Sequence, residues 1–160
     1  MTATAHSMGP RIGDLAPGFS LPSTAGTDVD LLSFRGKRNV LLAFIPLAFT
    51  STCTAEVCAF SEDFDTFVRA NTTVLPISVD SVPTLKEYKA KYGIKLDLLA
   101  DFKREVSRAY GVLNDAKFYS NRAYFLIDRA GRVRWAHVET DNKQRRDDAE
   151  LLREIEALGA

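Results

Sequence analysis

The spacing of apolar positions changes several times along the chain, and each change marks an element. Asn39-Val40-Leu41-Leu42-Ala43-Phe44-Ile45 is a continuous apolar run, the pattern of a strand covered on both faces, and Pro46 ends it. Phe60, Phe64 and Phe67 recur at i, i+4 and i+7, which predicts a helix following Cys53 with one face packed inward for about four turns before Asn71. Thr73 to Asp80 reads as a second buried strand, although its internal Pro76 counts against a position paired on both sides. Val82 to Tyr92 reads as a helix, with Pro83 in its first turn and Gly93 as its stop. Leu96 to Ala100 is a short strand, and Glu105 to Tyr110 a short helix ending at Gly111. Arg122 to Asp128 and Arg132 to Val138 flank Arg129-Ala130-Gly131 as a β-hairpin. Gln144 to Leu158 is a charged helix with Leu151, Leu152, Ile155 and Leu158 as its inward stripe. At the other end, Phe19-Ser20-Leu21-Pro22 and Val29-Asp30-Leu31-Leu32 flank a Ser/Thr/Gly turn, predicting an N-terminal hairpin.

This order predicts an α/β domain with a mixed central sheet, helices on both faces and a hairpin at the N-terminus. No repeat, low-complexity tract or interdomain linker interrupts it, so residues 11–160 read as one domain. Residues 1–10 are small and polar, a flexible arm or an expression remnant rather than a signal peptide.

Composition narrows the partners. The chain has 160 residues, 46% of them hydrophobic, and its 21 Lys and Arg are balanced by 21 Asp and Glu. That balance argues against nucleic acid or an anionic membrane as the main partner, and a small or neutral partner fits better. No window approaches the ~20 apolar residues of a spanning helix, so the chain reads as cytoplasmic. In a reducing compartment two close cysteines are redox-active or metal-binding rather than a permanent staple.

Both cysteines fall in Pro46-Leu47-Ala48-Phe49-Thr50-Ser51-Thr52-Cys53-Thr54-Ala55-Glu56-Val57-Cys58, at the turn from strand to helix. The hydroxyls of Thr50, Ser51 and Thr52 are candidate helix N-caps, which places Cys53 in or beside a first turn. Unpartnered N–H groups and the positive end of the macrodipole favour a thiolate over a thiol there. The plainer reading of Cys53 is a small core thiol. A Cys-x4-Cys pair with His6 and His137 both remote does not supply the four ligands of a structural zinc site, so no metal is expected. Haem, flavin, nucleotide and phosphate motifs are absent, and Gly9, Gly13 and Gly18 do not form a phosphate loop, so no cofactor is expected. Phe125 and Trp135 are most simply core or interface residues.

These residues resemble the peroxiredoxins, thiol-dependent peroxidases on a thioredoxin-like fold. Their signature, proline, three residues, threonine, two residues, cysteine, falls on Pro46, Thr50 and Cys53, with Glu56 at the acidic position and Arg122 opening a later strand. The likeness runs from about Gly13 to the C-terminus. It implies that Cys53 attacks hydrogen peroxide or a small organic hydroperoxide or peroxynitrite, that Thr50 hydrogen-bonds sulfur and peroxide, and that Pro46 shields the site. Arg122 would be the fixed cation, and Glu56 would hold an arginine in position.

Two branches of the family are represented. Cys58, five residues after Cys53, resembles the resolving cysteine of the Q type, or bacterioferritin comigratory protein, with thioredoxin or a similar dithiol restoring both thiols. Pro46-Leu47-Ala48-Phe49-Thr50 resembles the alkyl hydroperoxide reductase E group, described as one-cysteine enzymes, in which Cys58 is silent and an external thiol resolves. Either branch allows a monomer or a homodimer. A redox sensor or interaction module would need the same two cysteines but has no need of Thr50 and Arg122, and a thioredoxin-like reductase would need a two-residue cysteine spacing that the chain lacks.

Overall fold

The apolar run before Pro46 becomes the middle of a five-stranded sheet. The computed structural model describes residues 9–159. In chain order its elements are β1 (Ser20–Pro22), β2 (Asp28–Asp30), a 3-10 turn (Leu31–Phe34), β3 (Asn39–Phe44), α1 (Ser51–Glu62), α2 (Phe64–Arg69), β4 (Thr72–Ser78) and α3 (Val82–Tyr92). They continue with β5 (Leu99–Ala100), α4 (Glu105–Ala109), β6 (Leu113–Asn114), β7 (Tyr119–Ser120), β8 (Ala123–Ile127), β9 (Val133–Val138) and α5 (Asp148–Glu156). The sheet order is β5-β4-β3-β8-β9. Strand β3 is parallel to β4, with Leu41 beside Val74, and antiparallel to β8, with Leu41 beside Leu126, so the sheet is mixed.

Because side chains alternate across a strand, β3 feeds two cores. Leu41, Ala43 and Ile45 pack with Val57 and Phe60 of α1, Phe67 of α2, Leu85 and Tyr88 of α3, and Leu151 and Ile155 of α5. Val40, Leu42 and Phe44 pack on the opposite face with Leu21, Leu31, Val106 and Tyr110. Helices therefore lie on both faces but unequally: four cover the first, while α4 shares the second with the N-terminal hairpin and the 3-10 turn. Fold class and N-terminal hairpin are as the sequence predicts.

Pro76 occupies a strand position that tolerates it. Asn39 N–H donates to Asn71 O at 3.0 Å and Ile45 N–H to Ile77 O at 2.9 Å, so the odd-numbered backbone groups of β4 face β3. Even-numbered groups face the other way, where β5 pairs only with Ile77 and Ser78. The missing N–H of Pro76 thus points at an unpaired stretch of the sheet.

Several boundaries differ from expectation. The predicted four-turn helix is broken at Asp63 into α1 and α2, although Phe60 and Phe67 are buried as its periodicity requires. The last helix begins at Asp148 rather than Gln144, because Asp147 caps it by accepting from Glu150 N–H at 3.0 Å. Leu31 and Leu32 turn into the 3-10 segment, which leaves β2 shorter than expected, and β5 shrinks to two residues. The β6–β7 hairpin has no counterpart in the prediction. Of the expected N-terminal arm, residues 1–8 lie outside the described residues, whereas Gly9 is placed against the Tyr110 carbonyl.

Helix α3 begins and ends where its sequence signals fall. Ser81 accepts from Thr84 N–H at its start, and Gly93 adopts the left-handed conformation (φ 60°) at its end. Among the described residues no helix is long and apolar enough to cross a membrane.

Candidate active site

The loop between β3 and α1 starts at buried Pro46 and is fixed by one acid: Asp80 Oδ2 accepts from Ala48 N–H at 2.7 Å. Phe49 follows in the left-handed conformation (φ 65°), costly for a bulky residue, with its ring 4.9 Å from that of Tyr88. Thr50 then takes the N-cap position of α1, but its hydroxyl makes no cap bond. That hydroxyl donates back to Leu47 O at 2.6 Å, which corrects the capping expectation. No hydrogen bond joins Thr50 to Cys53 in this state. With its proton committed to Leu47, the exposed hydroxyl keeps free lone pairs and can act as an acceptor.

Cys53 lies in the first turn of α1 and exposes no surface. Arg122, immediately before β8, crosses to it: Nη2 donates to Cys53 Sγ at 3.2 Å. The rest of the guanidinium is also held. Nη1 donates to Glu56 Oε1 at 2.6 Å, while Nε and Nη2 donate to Asn142 O at 3.3 and 3.1 Å. Arg122 backbone N–H donates to Asn142 Oδ1 at 2.8 Å. Both side chains of the Arg122–Glu56 ion pair are 1% exposed, so this is a charge pair removed from water.

Glu56 has a second partner, Tyr124, whose hydroxyl donates to Oε2 and accepts from Arg146 N–H at 3.0 Å. Burial pushes the Glu56 carboxyl upward, opposed by Arg122 and the Tyr124 hydroxyl. Burial works against the Arg122 charge, but Glu56 and Cys53 beside it hold the guanidinium above its ordinary value. Tyr124 is driven up by burial and by Glu56. Tyr88, which donates to Thr54 Oγ1 at 2.9 Å, is pushed up to about 12 by burial, with Cys53 and Cys58 adding to the shift and the Thr54 bond opposing it.

Cys58 is a free, half-buried thiol on α1, and burial followed by the nearby Glu62 raises its pKa. It lies five residues from Cys53 in a continuous helix, where Cα atoms are roughly 8 to 9 Å apart, beyond the ~4.4 to 6.8 Å range of a disulfide.

The structure therefore gathers Cys53, Glu56 and Arg122 into direct contact, with Pro46 and Thr50 on the adjoining loop and Cys58 further along the same helix. Asn142 and Tyr124 belong to the same network and escaped the sequence reading. Tyr124 sits inside a strand that reads simply as apolar, and Asn142 lies in a polar connection whose composition signals only a turn. His137 Nε2 lies 3.1 Å from Glu139 Oε1, and among the described residues no group of three or more His, Cys, Asp or Glu is arranged to hold a metal ion.

The sheet thus carries a buried thiol at a helix start with a guanidinium donating to its sulfur, an arrangement suited to a thiol-dependent peroxidase. Residues 12–136 match the AhpC/TSA family, and the chain belongs to that family. Alkyl hydroperoxide reductase E of Mycobacterium tuberculosis is 37% identical over 137 residues, covering 84% of this chain and 90% of the relative. Peroxiredoxin Bcp of Escherichia coli is 35% identical over 139 residues, covering 83% and 87%. Among solved structures, the reduced 2-Cys peroxiredoxin of Plasmodium vivax superposes with a TM-score of 0.85 at 36% identity, covering 92% of this chain and 81% of that one. AhpC of Mycobacterium tuberculosis gives 0.86 at 25% identity, covering 95% and 94%.

Proposed function

We propose that this peroxidase reduces hydrogen peroxide and small organic hydroperoxides with Cys53 as the attacking thiol and Cys58 as the resolving one. The observation that carries the reading is the Arg122 Nη2 donor at 3.2 Å from Cys53 Sγ. In the first step the Cys53 thiolate attacks one peroxide oxygen, the O–O bond breaks, and the second oxygen leaves with the electron pair as hydroxide or alkoxide. Sulfur is oxidised to the sulfenic acid, and the leaving oxide takes a proton from water. Negative charge moves from sulfur to the departing oxygen, so a guanidinium already aimed at sulfur stabilises the transition state without rearranging. Thr50, in this reading, accepts the peroxide hydrogen bond. Because Cys53 exposes no surface, the loop at residues 46–50 or the start of α1 opens to admit the peroxide.

In the second step the Cys58 thiol gives up its proton and the thiolate attacks the Cys53 sulfenic sulfur, so that the S–S bond forms, the S–O bond breaks, and the departing hydroxide takes up a proton to leave as water. The helix must unwind locally for this, a cost well below that of global unfolding. A dithiol such as thioredoxin then exchanges with the disulfide and returns both cysteines to thiols. This cycle belongs in a reducing compartment, and we place the protein in the cytoplasm.

A one-cysteine cycle is the second reading, supported by the helical separation of the cysteines and the raised pKa of Cys58. Intact mass of the reduced protein after one equivalent of hydrogen peroxide, with and without a thiol trap, tests both. Loss of two hydrogens without dimerisation supports the Cys53–Cys58 disulfide. Oxygen added at Cys53 with Cys58 still alkylatable supports the one-cysteine cycle. Absence of any rapid change would discard the peroxidase mechanism on Cys53.

A further inference from the structure

Arg122 can act on the peroxide only if its guanidinium stays where it is, and Glu56 alone does not fix it. A single carboxylate oxygen at Nη1 leaves the planar fork free to pivot about that contact. Two further bonds remove that freedom, both to the Asn142 carbonyl, which accepts from Nε and Nη2, and the Asn142 side-chain oxygen holds that carbonyl in place by accepting from the Arg122 backbone N–H. Asn142 lies in the connection from β9 to α5, twenty residues from Arg122 and beyond residue 136, where the family match ends.

That connection is itself tied to the buried acid. Arg146 N–H donates to the Tyr124 hydroxyl, which donates to Glu56 Oε2, and the Arg146 side chain pairs with buried Glu139 at 2.9 Å. Glu139 N–H donates to Arg122 O at 2.9 Å, closing the network on the arginine's own backbone. The connection between β9 and α5 thus grips both members of the Arg122–Glu56 pair, one through Asn142 and the other through Tyr124.

We infer that Asn142 and Tyr124 are positioning residues of the peroxidase reaction: Asn142 fixes the guanidinium of Arg122 on the Cys53 sulfur, and Tyr124 fixes Glu56 beneath it. The inference rests on Cys53 as the attacking thiol. It separates two properties of that thiol, since orientation of Arg122 matters most where charge moves onto the leaving oxygen and less for simple alkylation of sulfur.

The experiment compares reduced wild type with Asn142→Ala, Asn142→Asp and Tyr124→Phe in single-turnover reaction with hydrogen peroxide and, separately, with iodoacetamide. Asn142→Ala removes the side-chain acceptor that seats the loop on Arg122. The expected result is an about ten- to hundredfold slower peroxide reaction, the scale for a misplacement of about 1 Å in a catalytic group, with alkylation changed less than threefold. Asn142→Asp retains an acceptor at the same atom and recovers most of the peroxide rate. Tyr124→Phe slows the peroxide reaction in the same sense and, being nearly isosteric, carries the test if Asn142→Ala does not fold. Peroxide rates within twofold of wild type in Asn142→Ala and Tyr124→Phe would overturn the inference while leaving the attacking role of Cys53 intact. Equal slowing of peroxide reaction and alkylation would also overturn it, by reducing both residues to general structural support. A wild type whose Cys53 does not react with peroxide would instead overturn the reading beneath it.

Discussion

Arg122 and Glu56 meet 66 residues apart in sequence, guanidinium to carboxylate at 2.6 Å, with neither side chain reaching water. Such a pair contributes less to stability than its geometry suggests, because both charges lose hydration on burial. Its larger consequence is the asymmetry between breaking the pair and replacing it.

Glu56→Ala leaves the buried Arg122 charge without its counter-ion and the Tyr124 hydroxyl without the acceptor for its proton. The expected cost is about 3 to 5 kcal/mol of folding stability, seen as a Tm lower by roughly ten degrees or more in thermal unfolding. Replacing both charges, Glu56→Leu with Arg122→Met, recovers at least half of that loss although the double variant reduces no peroxide. A double variant as unstable as Glu56→Ala would show that the pair itself carries the stability.

Arg122→Lys retains a positive charge but not the fork, and a single ammonium cannot serve Cys53, Glu56 and Asn142 from one position. Stopped-flow reaction with hydrogen peroxide is expected to slow by about two to three orders of magnitude, the cost of losing one preorganised donor at a developing oxyanion. A loss below about fivefold would show that the sulfur contact is incidental.

Under the two-cysteine cycle, Cys58→Ser is expected to leave the first oxidation of Cys53 at the wild-type rate and to abolish turnover coupled to thioredoxin. In wild type, oxidation is then expected to raise hydrogen exchange at residues 52–60, because the disulfide cannot form on an intact helix. The burial and Glu62 charge that raise the Cys58 pKa also make the disulfide step accelerate with rising pH, and Glu62→Gln speeds it at neutral pH. Unchanged exchange in the oxidised protein would count against the unwinding step.

Asp148 contributes to the pH dependence of stability. Both of its oxygens are buried without a donor, and its carboxyl is pushed up to about 8 by burial and then by the Asp63 carboxyl, with Arg145 opposing. The one hydrogen bond available between two carboxyls is a shared proton. The folded protein therefore holds that proton at pH values where the unfolded chain, with an ordinary aspartate, has released it. Stability conferred this way is full below about pH 4 and falls as pH rises toward 8, by at most about 1.4 kcal/mol per pH unit. Urea unfolding between pH 5 and 8 is expected to show that decline in wild type and a flatter profile in Asp148→Asn. Parallel profiles would place the proton elsewhere.

The parts of the fold that were legible in the sequence are those with local causes. The apolar run of β3, the Ser81, Pro83 and Gly93 punctuation of α3, and the hairpin around Gly131 each depend on residues near one another in the chain. Asp63 breaks a helix whose periodicity continues through it, with neither Gly nor Pro to signal the break, and in the folded chain it faces Asp148 across the start of α5. The start of α5 did carry a signal: Asp147 followed three residues later by Glu150 has the spacing of a capping box. The thiol, its loop and its cation were legible as a motif. Asn142 and Tyr124 were not, because their contacts with Arg122 and Glu56 span 20 and 68 residues and no local pattern encodes them.

Pro76 bears on how copies of this protein coexist at high concentration. Beyond the two residues that β5 covers, β4 has no strand partner on that side although Thr72, Val74, Leu75 and Pro76 are buried, and local opening would bare a ladder on which a foreign strand could pair, the usual first contact in amyloid-like growth. By omitting one donor from the middle of that ladder, Pro76 interrupts the pairing such a strand would need. A residue unexpected in a buried strand thereby acts as a gatekeeper against self-association.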